Sequence, residues 1–280
     1  MAFSMRFQAG GLTAALVAHF RRIIRGYYRR CARSFPWRNT RDPYAILVSE
    51  VMLQQTQTSR VLQKYGAFLE AFPDFASLAA APLRDILRAW QGLGYNRRAV
   101  ALHETARVVI RDFEGRLPRS PEALRALPGI GPYTASAVAA LAFDEPAVFI
   151  ETNIRTVFLH FFFAGRDKVR DSEVLPLVQA TLDRKRPREW YYALFDYGAM
   201  LKQTLHLNSK SAHHRPQGAF EGSHRQLRGR VVRYLVARGH ASEQEVSRDT
   251  GRRTGEVRQV LAELEREGFV VRDGEGARLR

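Results

Sequence analysis

A capping side chain followed at once by proline occurs twice in this chain, at Asp42–Pro43 and at Ser120–Pro121. Asp and Ser accept hydrogen bonds from first-turn amides, and a proline there gives up no intrahelical bond, so each pair opens a helix. The first of these runs through Leu53. The stops are equally plain: "TSRVLQKYGAFLEAF" is closed by Pro73, "PLRDILRAW" by Gly92 and "RAVALHETARVVIRDF" by Gly115. Each carries apolar residues at three- and four-residue spacing. Segments so punctuated predict a mainly α fold, and 280 residues can bury one sizeable core and a smaller second one.

Near the start, "GLTAALVAHF" runs straight into Arg21 and Arg22 with no small-residue cleavage site, so it reads as an amphipathic helix of a cytoplasmic protein. No apolar run approaches the length needed to span a bilayer, and no membrane partner is expected. The single cysteine, Cys31, excludes an intrachain disulfide and a cysteine-only cluster, and reads as a half-buried helix residue. Trp37 and Trp90 read as core, because large aromatics mostly serve packing.

Between Lys202 and Arg225 the helical period fails, leaving a polar, His-rich linker or surface-hugging segment. His206, His213, His214 and His224 there fit no common zinc spacing, and no metal or cofactor is expected. Beyond it come an apolar helix, "RQLRGRVVRYLVARG", and Ser242 with Glu245 three residues on, a capping box. Gly251 makes a turn. Thr254 caps a second helix that buries Val257, Val260, Leu261 and Leu264 and ends at Gly268. "FVVRDGEGARLR" closes the chain as two short strands about an Asp-Gly turn. This pattern resembles a winged helix-turn-helix domain, in which the helix from Thr254 enters a DNA groove with Arg252, Arg253 and Arg258 near phosphates, or which docks another protein.

The charge agrees with a DNA partner. Lys and Arg number 44 against 28 Asp and Glu, a formal net charge of +16, which points to a polyanion. Only five of the 44 are lysines, so a general preference for arginine is the bland alternative.

The stretch "LPGIGPYTASAV" gives helix, tight turn, helix. Gly129 and Gly131 can take positive φ and leave amides uncovered, which with the next helix's N-terminus suit a phosphate oxygen. With "SEVMLQQTQ" upstream, "WQGLGYNRRAVALH" between and "ETNIRTV" downstream, from "FPWR" at residue 35 to "FDYGAMLK" ending at 202, the chain resembles the helix-hairpin-helix (HhH-GPD) DNA glycosylases. Within them it is most similar to the MutY-type adenine glycosylases.

The resemblance implies a two-lobed helical fold over residues 1–218. A barrel spans about 43–150, a second lobe comes from about 11–42 and 151–203, and a linker covers about 203–221, with the winged helix at 222–280. It implies a monomer acting on double-stranded DNA with a mismatched or damaged base, which must be flipped out because its glycosidic bond is unreachable in the stack. Glu50 matches the family's general acid and base, a role that calls for a desolvated pocket. Gln54 and Gln55 match the glutamines that probe the gap left by the flipped base, and Gly129, Ile130, Gly131 and Thr134 match the hairpin that holds the backbone.

Where the lyase branch has a lysine nucleophile, this chain has Tyr133, so water is the expected nucleophile and an intact abasic site the product. Eighteen residues on, where the family has an aspartate to stabilise the positive sugar, stands Glu151, at the start of a helix whose dipole favours the carboxylate. Its extra methylene moves the charge by roughly 1.5 Å. After "DYGAMLK" the His-rich segment stands where the family has a four-cysteine iron–sulfur motif, and the winged helix stands where its module that reads 8-oxoguanine is expected. The expected reaction is removal of adenine opposite guanine or 8-oxoguanine in base excision repair. Composition and spacing leave open the same chemistry on uracil, hypoxanthine or thymine opposite guanine, and a protein that binds lesions without cutting.

Overall fold

The structure is a computed structural model that describes residues 3–205, 210–212 and 218–280. Along the chain run α1 (Phe3–Gly10), α2 (Ala14–Cys31), a 3₁₀ turn at Pro36–Arg38, α3 (Pro43–Leu53), α4 (Thr58–Ala71), α5 (Phe75–Ala80), α6 (Leu83–Trp90) and α7 (Arg97–Asp112). Then come α8 (Pro121–Arg125), α9 (Pro132–Phe143), α10 (Thr152–Phe162), α11 (Asp171–Thr181) and α12 (Pro187–Thr204). The chain ends with α13 (His224–Arg238), β1 (His240–Ala241), α14 (Glu243–Thr250), α15 (Thr254–Arg266), β2 (Val270–Arg272) and β3 (Ala277–Leu279). Among the described residues no helix is long and apolar enough to cross a membrane. Two compact units result, Met1–Ile46 with Arg119–Ala126 and Ile130–Pro216, and Leu47–Pro118 with Leu127–Gly129 and Gln217–Arg280.

The first unit is organised around aromatic rings. Helix α2 opens where the Thr13 hydroxyl accepts the Leu16 amide at 3.2 Å, and it buries Leu16, Phe20 and Ile24. Phe20 packs on Phe158, Phe162 and Trp190 with centroids 5.4, 5.2 and 5.9 Å apart, spacings at which offset and edge contacts add to area burial. Cys31 is exposed rather than half-buried. It lies on the stripe of Ile24, seven residues earlier, but it is the last helical residue and nothing covers it. Both expected caps form: Asp42 accepts the Tyr44 and Ala45 amides at 3.0 and 3.3 Å, and Ser120 accepts that of Ala123 at 3.2 Å. Part of the irregular segment hugs the surface, since Val169 exchanges 3.0 Å backbone bonds with Lys210 and Ala212.

Two buried polar groups tie this unit together. Asp196 on α12 is 1% exposed. It accepts from Arg33 Nε at 2.7 Å and from Arg38 Nη2 at 2.8 Å on one oxygen, and from Arg33 N and Arg38 Nη1 at 2.9 Å on the other. Burial works to raise its pKa, but the hydrogen bonds and charges of Arg38 and Arg33 outweigh it and hold the carboxyl below the ordinary range. Arg188, also buried, donates to the carbonyls of Leu141 at 2.8 Å, Arg38 at 2.9 Å and Thr40 at 2.5 Å.

In the second unit, Phe68 of α4 meets Trp90 of α6 edge-on at 5.7 Å, and Trp90, fully buried, donates from Nε1 to Gly94 O at 3.1 Å. Helix α5, too short for periodicity to reveal, is set by an Asp74–Ser77 capping box. The C-terminal elements begin on Ser223, which caps α13. The Ser242–Glu245 box opens α14, and Gly251 turns out of it at φ 63°. Thr254 is not the cap of α15 but its first residue; Arg253 holds the cap position, and the Thr254 hydroxyl instead meets Ser247 Oγ at 3.3 Å. Strand β3 lies between β2 and β1, antiparallel to both. The two-residue β1 has no alternation to betray it in the sequence. Arg84 on α6 clasps the end of α13, donating to Val236 O at 2.8 Å and Ala237 O at 3.0 Å.

Because the Asp196 pKa is lower in the folded than in the unfolded chain, its contribution is full at neutral pH and is lost as acid protonates it. Asp196→Asn, leaving two arginines facing a neutral amide, is expected to cost about 3 kcal/mol at neutral pH and progressively less below the ordinary aspartate pKa. Denaturant unfolding across that range measures both, and an unchanged pH dependence would contradict the assignment.

Candidate functional site

The hairpin turn is built by two different glycine requirements. Gly129, in the second unit, has φ 70°, and a Cβ there would lie 2.4 Å from the Ala101 Cβ of α7. Both the left-handed backbone and the close approach exclude a side chain. The same turn is tied to α7 where Thr105 donates to Pro128 O at 2.8 Å. Gly131, in the first unit, holds the cap position of α9 with extended backbone and no capping side chain, and Pro132 follows. Ile130 and Thr134 bury their side chains.

Glu50, on α3 in the second unit, is 6% exposed, which removes the reading of a solvated surface glutamate. The same helix ends in a turn that carries both glutamines: Gln54 is half-buried, and Gln55 is exposed at φ 53°. Left-handed backbone is uncommon for a residue with a Cβ. What holds it is Arg98 on α7, whose Nη1 donates to Val51 O and Met52 O at 2.8 Å and to Gln54 O at 2.6 Å.

Glu151, in the first unit, is the N-cap of α10. One carboxylate oxygen accepts the Ile154 amide at 2.7 Å, and the other accepts Asn153 Nδ2 at 3.1 Å. Burial raises its pKa; the Asn153 and Ile154 bonds and the charges of Lys202 and Arg155 oppose this, and burial prevails. The helix seat is unusually close: a Cβ on Gly198 of α12 would stand 2.2 Å from Asn153 O. The segment leading into Glu151 is lined by rings, with Tyr133 edge-on to Phe149 at 5.5 Å, Phe149 stacked on Tyr191 at 4.0 Å, and the Tyr191 hydroxyl donating to Ala147 O at 2.7 Å.

The C-terminal arginines are partly engaged. Arg258 Nε donates to Glu243 at 2.9 Å and Arg252 Nη2 to Gly222 O at 2.7 Å, while Arg253 is exposed. Of the four histidines considered for metal, His206, His213 and His214 lie outside the described residues, and His224 meets Glu263 at 2.7 Å. Among the described residues no group of His, Cys, Asp and Glu could hold a metal ion.

A glycine-turned hairpin, a buried glutamate on a helix ending in two glutamines, and a carboxylate capping a later helix are set in the fold of a base-excising glycosylase. A solved thermostable thymine-DNA glycosylase shares it, with a TM-score of 0.58 and 30% identity over 66% of this chain and 86% of that one. The chain belongs to the HhH-GPD superfamily of base excision DNA repair proteins, whose profile matches residues 48–175. It is 36% identical to the adenine DNA glycosylase of Mycobacterium tuberculosis over 236 residues, covering 75% of this chain and 76% of that protein. To the adenine DNA glycosylase of Mus musculus it is 35% identical over 195 residues, 65% of this chain but 38% of the mouse protein. The chain thus spans well under half of that relative's length.

Three positions that shape these groups were not singled out from sequence. Arg98 does stand on the stripe of Leu102, Thr105 and Val109, all buried, so a cation on an apolar face was a visible signal. Asn153 and Gly198 carried none, because their roles depend on which helices meet. Gly198→Ala forces a methyl into backbone and is expected to cost about 1–3 kcal/mol, the usual range for overpacking. Thermal and denaturant unfolding measure it, and a variant as stable as the wild type would mean that α12 and α10 are not seated this closely.

Proposed function

We propose that the chain is a monofunctional DNA glycosylase of base excision repair that removes adenine from mispairs with guanine or 8-oxoguanine. The burial of Glu50 supports this most, since an acid 6% exposed sits in the desolvated setting that a general acid calls for. Glu50 protonates the purine at N7 and helps to activate water, and Glu151 faces the positive charge that develops on the sugar. With Tyr133 where a Schiff-base lysine would stand, the sugar is released as an intact abasic site. Gln54 and Gln55 probe the opened stack, and the amides about Gly129, Ile130, Gly131 and Thr134 grip phosphate. Residues 222–280 act as a winged helix whose Arg252, Arg253 and Arg258 add attraction to the phosphates. The protein works as a monomer on nucleoid DNA.

A second reading keeps the chemistry and changes the base to thymine or uracil opposite guanine. The likeness to a thymine-DNA glycosylase over 86% of that chain favours it.

Single-turnover assays on duplexes with adenine opposite guanine or 8-oxoguanine, and thymine, uracil or hypoxanthine opposite guanine, separate the readings. Adenine release is the expected outcome, with no adduct trapped by borohydride. Glu50→Gln is expected to lower the rate by at least about 10²-fold, the scale of general acid–base catalysis, while duplex affinity persists. Binding without release of any base would refute both enzyme readings.

A further inference from the structure

Arg98 is a cation drawn out of water with no anion to answer it. Burial pushes its guanidinium down to about 10, so it is charged at neutral pH. Among the described residues no carboxylate lies within ion-pair distance of it. Its hydrogen-bond partners are oxygens from two loops, and its guanidinium also lies over the rings of Trp90 and Tyr95, 5.3 and 5.6 Å from their centroids. Nη1 takes the carbonyls of Val51, Met52 and Gln54, where the last turn of α3 is richest in unsatisfied acceptors. Nη2 takes Thr56 Oγ1 and Gly94 O, each at 2.9 Å, and Leu93 O at 3.3 Å. Thr56 stitches the same two segments directly, donating to Leu93 O at 3.2 Å. Each segment ends in an exposed residue with left-handed backbone, Gln55 at φ 53° and Tyr95 at φ 48°. Such conformations persist only where the surroundings hold them, and they concentrate at functional sites.

We propose that Arg98 is the positioning residue that locks the Gln54–Gln55 turn and the Leu93–Tyr95 loop into one rigid tool for opening the base stack. A planar fork with donors on both sides can serve two loops at once. An ammonium is a point with three donors and cannot span them. The role is confined to opening paired DNA: once the target base has no partner and leaves no gap to be probed, the lock has nothing to do. This inference rests on the glycosylase reading above.

The test compares the full-length wild type with Arg98→Lys and Thr56→Val. Single-turnover release of adenine is measured opposite guanine, and opposite a tetrahydrofuran abasic analogue that leaves the adenine unpaired. In parallel, 2-aminopurine in place of the target adenine reports unstacking on binding. For folded Arg98→Lys the rate on the paired duplex should fall about tenfold or more while the rate on the unopposed target stays within about threefold, because misplacement of the turn impairs opening and not chemistry. The 2-aminopurine signal on binding should be lost. Equal loss on both substrates, or none on the paired duplex, overturns the proposal. Should Arg98→Lys fail to fold by its thermal transition, Thr56→Val, which removes the stitch without burying a bare charge, decides by the same ratio. A wild type that releases no base from either duplex refutes the glycosylase reading alone. In that case the fluorescence comparison still judges Arg98: a variant that binds and unstacks as the wild type does overturns it.

Discussion

Helix α12 runs so close under the first turn of α10 that only a glycine fits at the crossing. Asn153 O occupies the space a Gly198 side chain would need. That approach seats the N-terminus of α10, and with it Glu151, whose two carboxylate oxygens are fixed by the Ile154 amide and the Asn153 side chain. Two residues before Gly198, Asp196 gathers Arg33 and Arg38 in a buried cluster, so the same helix also anchors the segment that leads to α3. Each oxygen of this carboxylate is held by a neutral donor, one from the backbone and one from a side chain. Rigid placement matters because a displacement of about 1 Å can alter a rate greatly.

The two units use buried charge differently. In the first, Asp196 is answered by arginines, and the balance of burial against pairing leaves it ionised at neutral pH. In the second, half-buried Arg98 is answered by neutral oxygens and by the faces of the Trp90 and Tyr95 rings, which over-determines its geometry. The first arrangement ties helix α12 to the segment before α3; the second ties two loops together. Gln55 and Tyr95, exposed and in left-handed conformations, sit at the ends of the loops so held.

Much of the scaffold was legible because its signals are local. Asp42, Ser120 and Ser242 cap where their neighbours said they would, and Gly251 turns where the apolar period breaks. Where the apolar period is informative but incomplete, the structure departs from it. Arg253 rather than Thr254 caps α15, and Cys31 shares a buried stripe yet lies at its open end. Helix α5 and strand β1 are too short for any period to show. Of the candidate site, Glu50, Gln54, Gln55 and Glu151 were legible as motif positions. Asn153 and Gly198 were not, because a side chain that acts through contact with a distant helix has no pattern in its own neighbourhood. Arg98 lies between these cases: its place on a buried stripe was visible, and its partners were not.

Glu151 must be ionised when positive charge develops on the sugar, against the burial that raises its pKa, if it is to act in the position where related proteins are expected to carry aspartate. Charge, and not the length of the side chain, is the property that matters there. The most direct measurement is single-turnover base release by Glu151→Gln beside Glu151→Asp, with folding verified for both. Removal of the charge should lower the rate by about 10²–10³-fold, the scale of losing one electrostatic stabiliser, while the aspartate variant should retain most of it. A glutamine variant as fast as the wild type would contradict the account, and Glu151 would then be a helix cap and nothing more.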